Sequence, residues 1–79
     1  MARIVSFKEL EPTDRVRWHT GVKCGYRILT KGGLRILHLE TYGSNTRKIP
    51  GKVSQSLQVD EGAAGQLKSL IGRAFPGLR

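Results

Sequence analysis

The feature that most constrains the fold of this chain is a pair of alternating segments joined by the turn Lys31-Gly32-Gly33. Two glycines between alternating runs are typical of a two-residue β-hairpin turn, which needs residues that tolerate positive φ. If Gly32 and Gly33 form the turn, Lys31 pairs with Leu34, and this pairing sets the register of the whole hairpin. One face is then apolar, with Tyr26, Ile28, Leu37 and Leu39. The other face is mixed, with Lys23, Gly25, Arg27, Leu29, Ile36, His38, Glu40 and Tyr42.

The segments after the hairpin predict a loop, a further strand and a helix. Residues 43–52 have loop composition, with Gly43 and Pro50-Gly51 breaking the pattern, and residues 53–59 alternate again. Asp60 is a candidate helix N-cap, and apolar residues then recur at helical spacing until Pro76 ends the helix. We expect the apolar stripe of this helix to cover the apolar face of the sheet.

These elements predict an α+β fold in one domain, residues 1–79. A small antiparallel sheet of three to four strands occupies residues 22–59, and a C-terminal helix at 60–75 packs on one face. Residues 1–20 are interpreted as an N-terminal extension or an edge strand. Trp18 is interpreted as a core anchor, with stacking on a nucleotide as the alternative. A chain this short buries a modest core, and Cys24 is its only cysteine. We therefore expect a homodimer.

Composition points to a polyanionic partner. The chain has 14 Lys and Arg against 6 Asp and Glu, a formal charge of +8, which favours nucleic acid. No apolar run reaches the length of a membrane span and the N-terminus does not resemble a secretory signal, so we expect a cytoplasmic protein without membrane contacts. His19, Cys24 and His38 are too few and too scattered for a zinc site.

Catalysis is not expected, because no serine or cysteine belongs to a constellation with histidine and an acid that would activate it. Nor do we expect a cofactor or a small-molecule substrate.

The candidate binding residues lie on the mixed face and in the loop. We predict that unpaired nucleic acid is bound by Lys23, Arg27, Tyr42, Arg47, Lys48 and Lys52. The cations would hold phosphates, and Tyr42 would stack a base, a contact worth about 1–3 kcal/mol. The alternatives are a solvated basic loop and an ordinary cross-strand tyrosine. Leu29 and Ile36 fit either a floor beneath bases or a dimer seam.

The order of these parts resembles the single-stranded-DNA-binding domain of the transcriptional positive cofactor 4 family. The resemblance runs from about Tyr26 to Ile71 and rests on Tyr42 closing the second strand, Pro50-Gly51-Lys52, Leu57-Gln58-Val59 and Gln66-Leu67-Lys68. It implies a homodimer whose curved sheets bind the backbone and bases of unpaired DNA.

We therefore predict a non-catalytic protein that binds single-stranded DNA with little sequence preference, in transcription modulation or single-strand handling. One alternative is an RNA-binding protein. The other is a protein-interaction module that docks an acidic partner.

Overall fold

The chain folds into a curved four-stranded sheet and one helix, as a computed structural model shows for residues 1–42 and 53–78. The strands are β1 (Ala2–Ile4), β2 (Cys24–Lys31), β3 (Leu34–Tyr42) and β4 (Val53–Asp60), and the helix is α1 (Glu61–Ala74). Their order in the sheet is β1-β4-β3-β2. The predicted α+β class is confirmed. The sheet is mixed rather than purely antiparallel, because β1 pairs with β4 in parallel.

The β2–β3 hairpin has the predicted register. Gly32 and Gly33 adopt positive φ angles of 58° and 82°, and Lys31 pairs with Leu34. Ile28 therefore faces Leu37 on the apolar face. The ladder ends at the pair of Cys24 with Thr41, and Lys23 lies one residue before β2. The pairing of Lys23 with Tyr42 that the predicted register implies is therefore not part of the ladder.

The N-terminal segment contributes an edge strand over three residues only. Within β1, Arg3 pairs with Gln58 and Ile4 pairs with Val59 of β4. Residues 5–23 contain neither helix nor strand. Trp18 is 99% exposed, so its interpretation as a core anchor is wrong for the single chain.

Helix α1 begins after its N-cap residue, Asp60, and ends before its C-cap residue, Phe75. The Asp60 side chain accepts a hydrogen bond from the Ala63 N–H at 2.8 Å, which satisfies one of the amides left unpaired in a first helical turn. At the other end the Phe75 N–H donates to the Ile71 carbonyl at 2.9 Å, and Pro76 follows. The predicted N-cap is therefore confirmed.

The helix packs on only part of the apolar face. Val59 and Ala63, 3% and 0% exposed, are the buried hydrophobic residues of the described chain. Because α1 follows β4 without a linker, it lies over β4 and towards β1, where the Phe7 N–H donates to Gln66 Oε1 at 3.0 Å. Tyr26 and Ile28 on β2 remain 71% and 61% exposed.

The expectation that the helix covers the whole apolar face is therefore wrong for the β2 side. An open groove of about 260 Å³ separates α1 from this uncovered part, and Ile28, Leu37 and Ala64 are among the residues that line it. In the described ranges no helix is long and apolar enough to cross a membrane.

Candidate nucleic-acid interface

The sheet face opposite α1 carries a row of polar side chains that crosses all four strands. Arg3 pairs with Gln58, Gln58 with His38, and His38 with Arg27. Directly paired residues point to the same side of a sheet, so these four side chains, the polar row, share one face. Their face is opposite to that of Val59, against which α1 packs.

Glu40 is the centre of a hydrogen-bonded group beside this row. Its Oε1 accepts from Arg27 Nη1 at 2.9 Å and from His38 Nε2 at 2.9 Å. Its Oε2 accepts from the Tyr42 hydroxyl at 3.3 Å. Gln58 joins through a 3.1 Å hydrogen bond between its Nε2 and His38 Nδ1. We call these five residues the Glu40 cluster.

The electrostatics of the cluster keep Glu40 ionised. The hydrogen bond from His38, with the charge and hydrogen bond of Arg27, lowers the pKa of Glu40 below its ordinary value of 4.5, against a partial desolvation that raises it. At neutral pH the Glu40 carboxylate is thus a fixed negative charge. It offsets the positive charge of Arg27 within one ion pair.

His38 is held at both ring nitrogens. A carboxylate can only accept, so Nε2 carries the proton that is donated to Glu40, and Nδ1 accepts from the Gln58 amide. Neither nitrogen is then directed at a substrate as a general base would be. The arrangement suits a structural role for His38 within the Glu40 cluster.

Tyr42 lies close against the sheet because residue 25 is a glycine. A Cβ added to Gly25 would lie 2.8 Å from the Tyr42 hydroxyl oxygen and 3.4 Å from the nearest ring carbon. Real Cβ atoms essentially never lie within 3.0 Å of another heavy atom, so the approach to the hydroxyl oxygen would not be tolerated without a shift. Gly25 therefore provides the space that the Tyr42 ring occupies against β2, with its hydroxyl at Glu40.

The structure brings together two of the six predicted site residues. Arg27 and Tyr42 meet at Glu40 on the polar face, although Arg27 is paired with a carboxylate that the sequence prediction did not assign to it. The Arg27 side chain is 65% exposed, so much of it still faces solvent despite the pairing. Lys23 is exposed just before β2. Arg47, Lys48 and Lys52 lie outside the described residues.

Sequence reasoning missed Arg3, Glu40 and Gln58. A signal for Glu40 was present, because His38, Glu40 and Tyr42 alternate along β3 and therefore share a face. Gln58 had a similar signal, because residues 53–59 alternate and it therefore lies on the face opposite Leu57 and Val59. Arg3 had no local signal, since its place depends on the parallel pairing of β1 with a strand more than fifty residues away in sequence.

In the described part of the chain, no group of three or more His, Cys, Asp or Glu side chains could hold a metal ion. Comparison with protein-family models, with curated proteins and with solved structures finds no match to this chain.

Proposed function

We propose that this protein binds single-stranded DNA across the polar face of its sheet, with single-stranded RNA as the alternative ligand. The observation that carries the proposal is the polar row, from Arg3 to Arg27, on a face that α1 leaves open. Backbone contacts of this kind tolerate any sequence and suit transcription modulation or the handling of exposed single strands.

The charges near this face support an electrostatic mechanism. Arg3 and Arg27 lie at opposite ends of the polar row, and both are exposed. Arg27 has five N–H donors and directs one nitrogen to Glu40, which leaves donors for a phosphate. With the chain at a formal charge of +8, a polyanion is attracted over long range.

Tyr42 supplies the second element that an unpaired strand needs. Its ring lies on the polar face with the hydroxyl held by Glu40, so the ring is oriented before any ligand binds. A base can stack on such a platform only where it is not already stacked and paired within a duplex. Electrostatic attraction with one fixed aromatic therefore favours single strands over duplexes.

The test is fluorescence anisotropy with a labelled mixed-sequence single strand and its duplex, titrated at several salt concentrations. The single strand should bind more tightly. If the six cations Arg3, Lys23, Arg27, Arg47, Lys48 and Lys52 each neutralise a phosphate, log affinity should fall with log salt at a slope of about −4, from about 0.7 per contact.

Arg3→Ala tests the residue that the structure adds to the site, and should flatten this slope by about 0.7. Lys68→Ala is the matched control, because Lys68 is an exposed cation on α1, away from the polar face. A slope near zero, or an equal effect of the two substitutions, would contradict the proposal. Parallel titration of matched RNA strands separates the two nucleic acids, which differ in 2′-hydroxyl contacts.

A homodimer is the second part of the proposal, and the exposed apolar side chains on β2 support it. Tyr26 and Ile28 are mostly exposed while only Val59 and Ala63 are buried among the described residues. A core this small is marginal for a domain without a disulfide, and a contiguous apolar surface is typical of an interface. A second copy would cover the part of the apolar face, on β2, that α1 leaves exposed.

Sedimentation equilibrium tests the dimer. The wild-type chain should associate with twice the monomer mass, and Ile28→Glu should shift it towards the monomer because a carboxylate is costly to bury. Leu10→Glu is the control, since Leu10 is exposed in a segment without helix or strand. A monomer at all accessible concentrations would contradict this part alone.

A further inference from the structure

We infer that the Glu40 cluster is a nucleobase site that selects bases with an exposed amino group. This inference rests on the proposed function, and it assigns a ligand group to the centre of the polar face. Cations would hold the backbone at the ends of the polar row, at Arg3 and Arg27. The centre, at Glu40, would receive the edge of an unpaired base.

A phosphate is the wrong ligand for this centre. The Glu40 carboxylate is ionised, and it already takes the charge-assisted hydrogen bond of Arg27 at 2.9 Å. A phosphate oxygen at the same place would meet a like charge at close range, which is unfavourable. The donors of His38 and Tyr42 are also directed at Glu40 rather than outwards.

The ligand that suits this centre is a neutral group that donates a hydrogen bond. Among the residues that the structure describes, Oε1 of Glu40 accepts two hydrogen bonds and Oε2 accepts one, from the Tyr42 hydroxyl at 3.3 Å. A distance of 3.3 Å is long for an O–H···O bond, and each carboxylate oxygen has two lone-pair sites. Oε2 can therefore accept a further, shorter hydrogen bond.

The space beside Glu40 fits the edge of a base rather than a whole ring. A shallow cavity of about 90 Å³ is lined by Gly25, Arg27, His38, Glu40 and Tyr42, among others. This is the volume of roughly three water molecules. An amino group entering it would reach Glu40 while the ring of its base remained outside, beside Tyr42.

The chemistry of the bases then decides which are selected. Cytosine, adenine and guanine each carry an exocyclic amino group, whereas thymine has a carbonyl oxygen at the position where cytosine has its amino group. An amino group donates to Glu40, but a carbonyl oxygen is repelled by it. In a duplex the Watson–Crick edge is already paired, so the same site also disfavours double strands.

The experiment compares short oligo(dC) and oligo(dT) strands by competition anisotropy at neutral pH and fixed salt. The wild-type protein should bind oligo(dC) about tenfold more tightly, which corresponds to about 1.4 kcal/mol and to one hydrogen bond to a charged group. Glu40→Gln should bring the ratio towards one, because the new amide can donate to the thymine carbonyl. Glu61→Gln is the matched control: it removes the same charge from exposed Glu61 on α1 and should leave the ratio unchanged.

A test on the ligand side does not depend on the variant folding. Strands whose cytosine amino groups are dimethylated have lost the donor, and the wild-type protein should bind them about as weakly as oligo(dT). Equal affinity for all three strands, with a retained salt dependence, would overturn the inference while leaving the proposed function intact. Absence of binding to any strand would instead overturn the proposed function.

Discussion

Asp60→Ala should destabilise the protein measurably, because Asp60 joins the sheet to the helix. Its side chain accepts the Ala63 N–H at 2.8 Å, and Ala63 is completely buried. Water therefore cannot easily replace the lost acceptor. Loss of an N-cap costs about 0.5–2 kcal/mol, and the burial of Ala63 places this case at about 1–2 kcal/mol.

Thermal unfolding followed by circular dichroism measures this loss. For a domain of this size each 1 kcal/mol corresponds to roughly 4–8 °C, so the melting temperature should fall by about 4–16 °C. Protein concentration must be held constant, because the stability of a chain that self-associates depends on concentration.

Two further variants separate the hydrogen bond from the charge. Asp60→Asn keeps a good N-cap acceptor and should retain most of the stability. Glu61→Ala removes an exposed first-turn carboxylate that interacts with the helix dipole, and should cost about 0.3–1 kcal/mol. If Asp60→Asn were as destabilising as Asp60→Ala, the charge rather than the cap would be responsible. An unchanged melting temperature in Asp60→Ala would refute the reasoning altogether.

Three other predictions concern the Glu40 cluster. The pKa of Glu40 is lowered in the folded protein, so its stabilising effect is present above the ordinary value of 4.5 and is lost as the pH falls through the folded pKa. In urea unfolding below about pH 4.5, the wild type should therefore lose stability more steeply than Glu40→Gln, and parallel stability curves would contradict this. Gly25→Ala would place a methyl group 2.8 Å from the Tyr42 hydroxyl oxygen and should weaken single-strand binding several-fold in anisotropy titrations. The control Gly65→Ala, with open space around it, should not weaken binding, and equal binding by both variants would show that the position of the Tyr42 ring is unimportant. If the Tyr42 ring stacks a base, Tyr42→Ala should lose about 1–3 kcal/mol of binding free energy, whereas Tyr42→Phe should retain most of the wild-type binding free energy. Equal losses in the two variants would assign the effect to the hydroxyl.

Local chemistry in the sequence determined the hairpin and the cap. Gly32 and Gly33 specify the turn, and the alternation on either side then allows one register, which the structure contains from Lys31–Leu34 to Cys24–Thr41. Asp60 before an apolar helical stripe likewise specified the start of α1. Such signals can be read directly because the interactions involved span only a few residues or follow from one turn.

Tertiary structure alone decided what the two faces of the sheet present. The pairing of β1 with β4 brings Arg3 into the polar row, and no local pattern near Arg3 encodes a partner so distant in sequence. The direct β4–α1 junction sets the helix over Val59 and leaves Ile28 exposed, although both residues belong to one apolar pattern. The alternation of a strand specifies which residues share a face, but which of them are covered depends on where the helix packs.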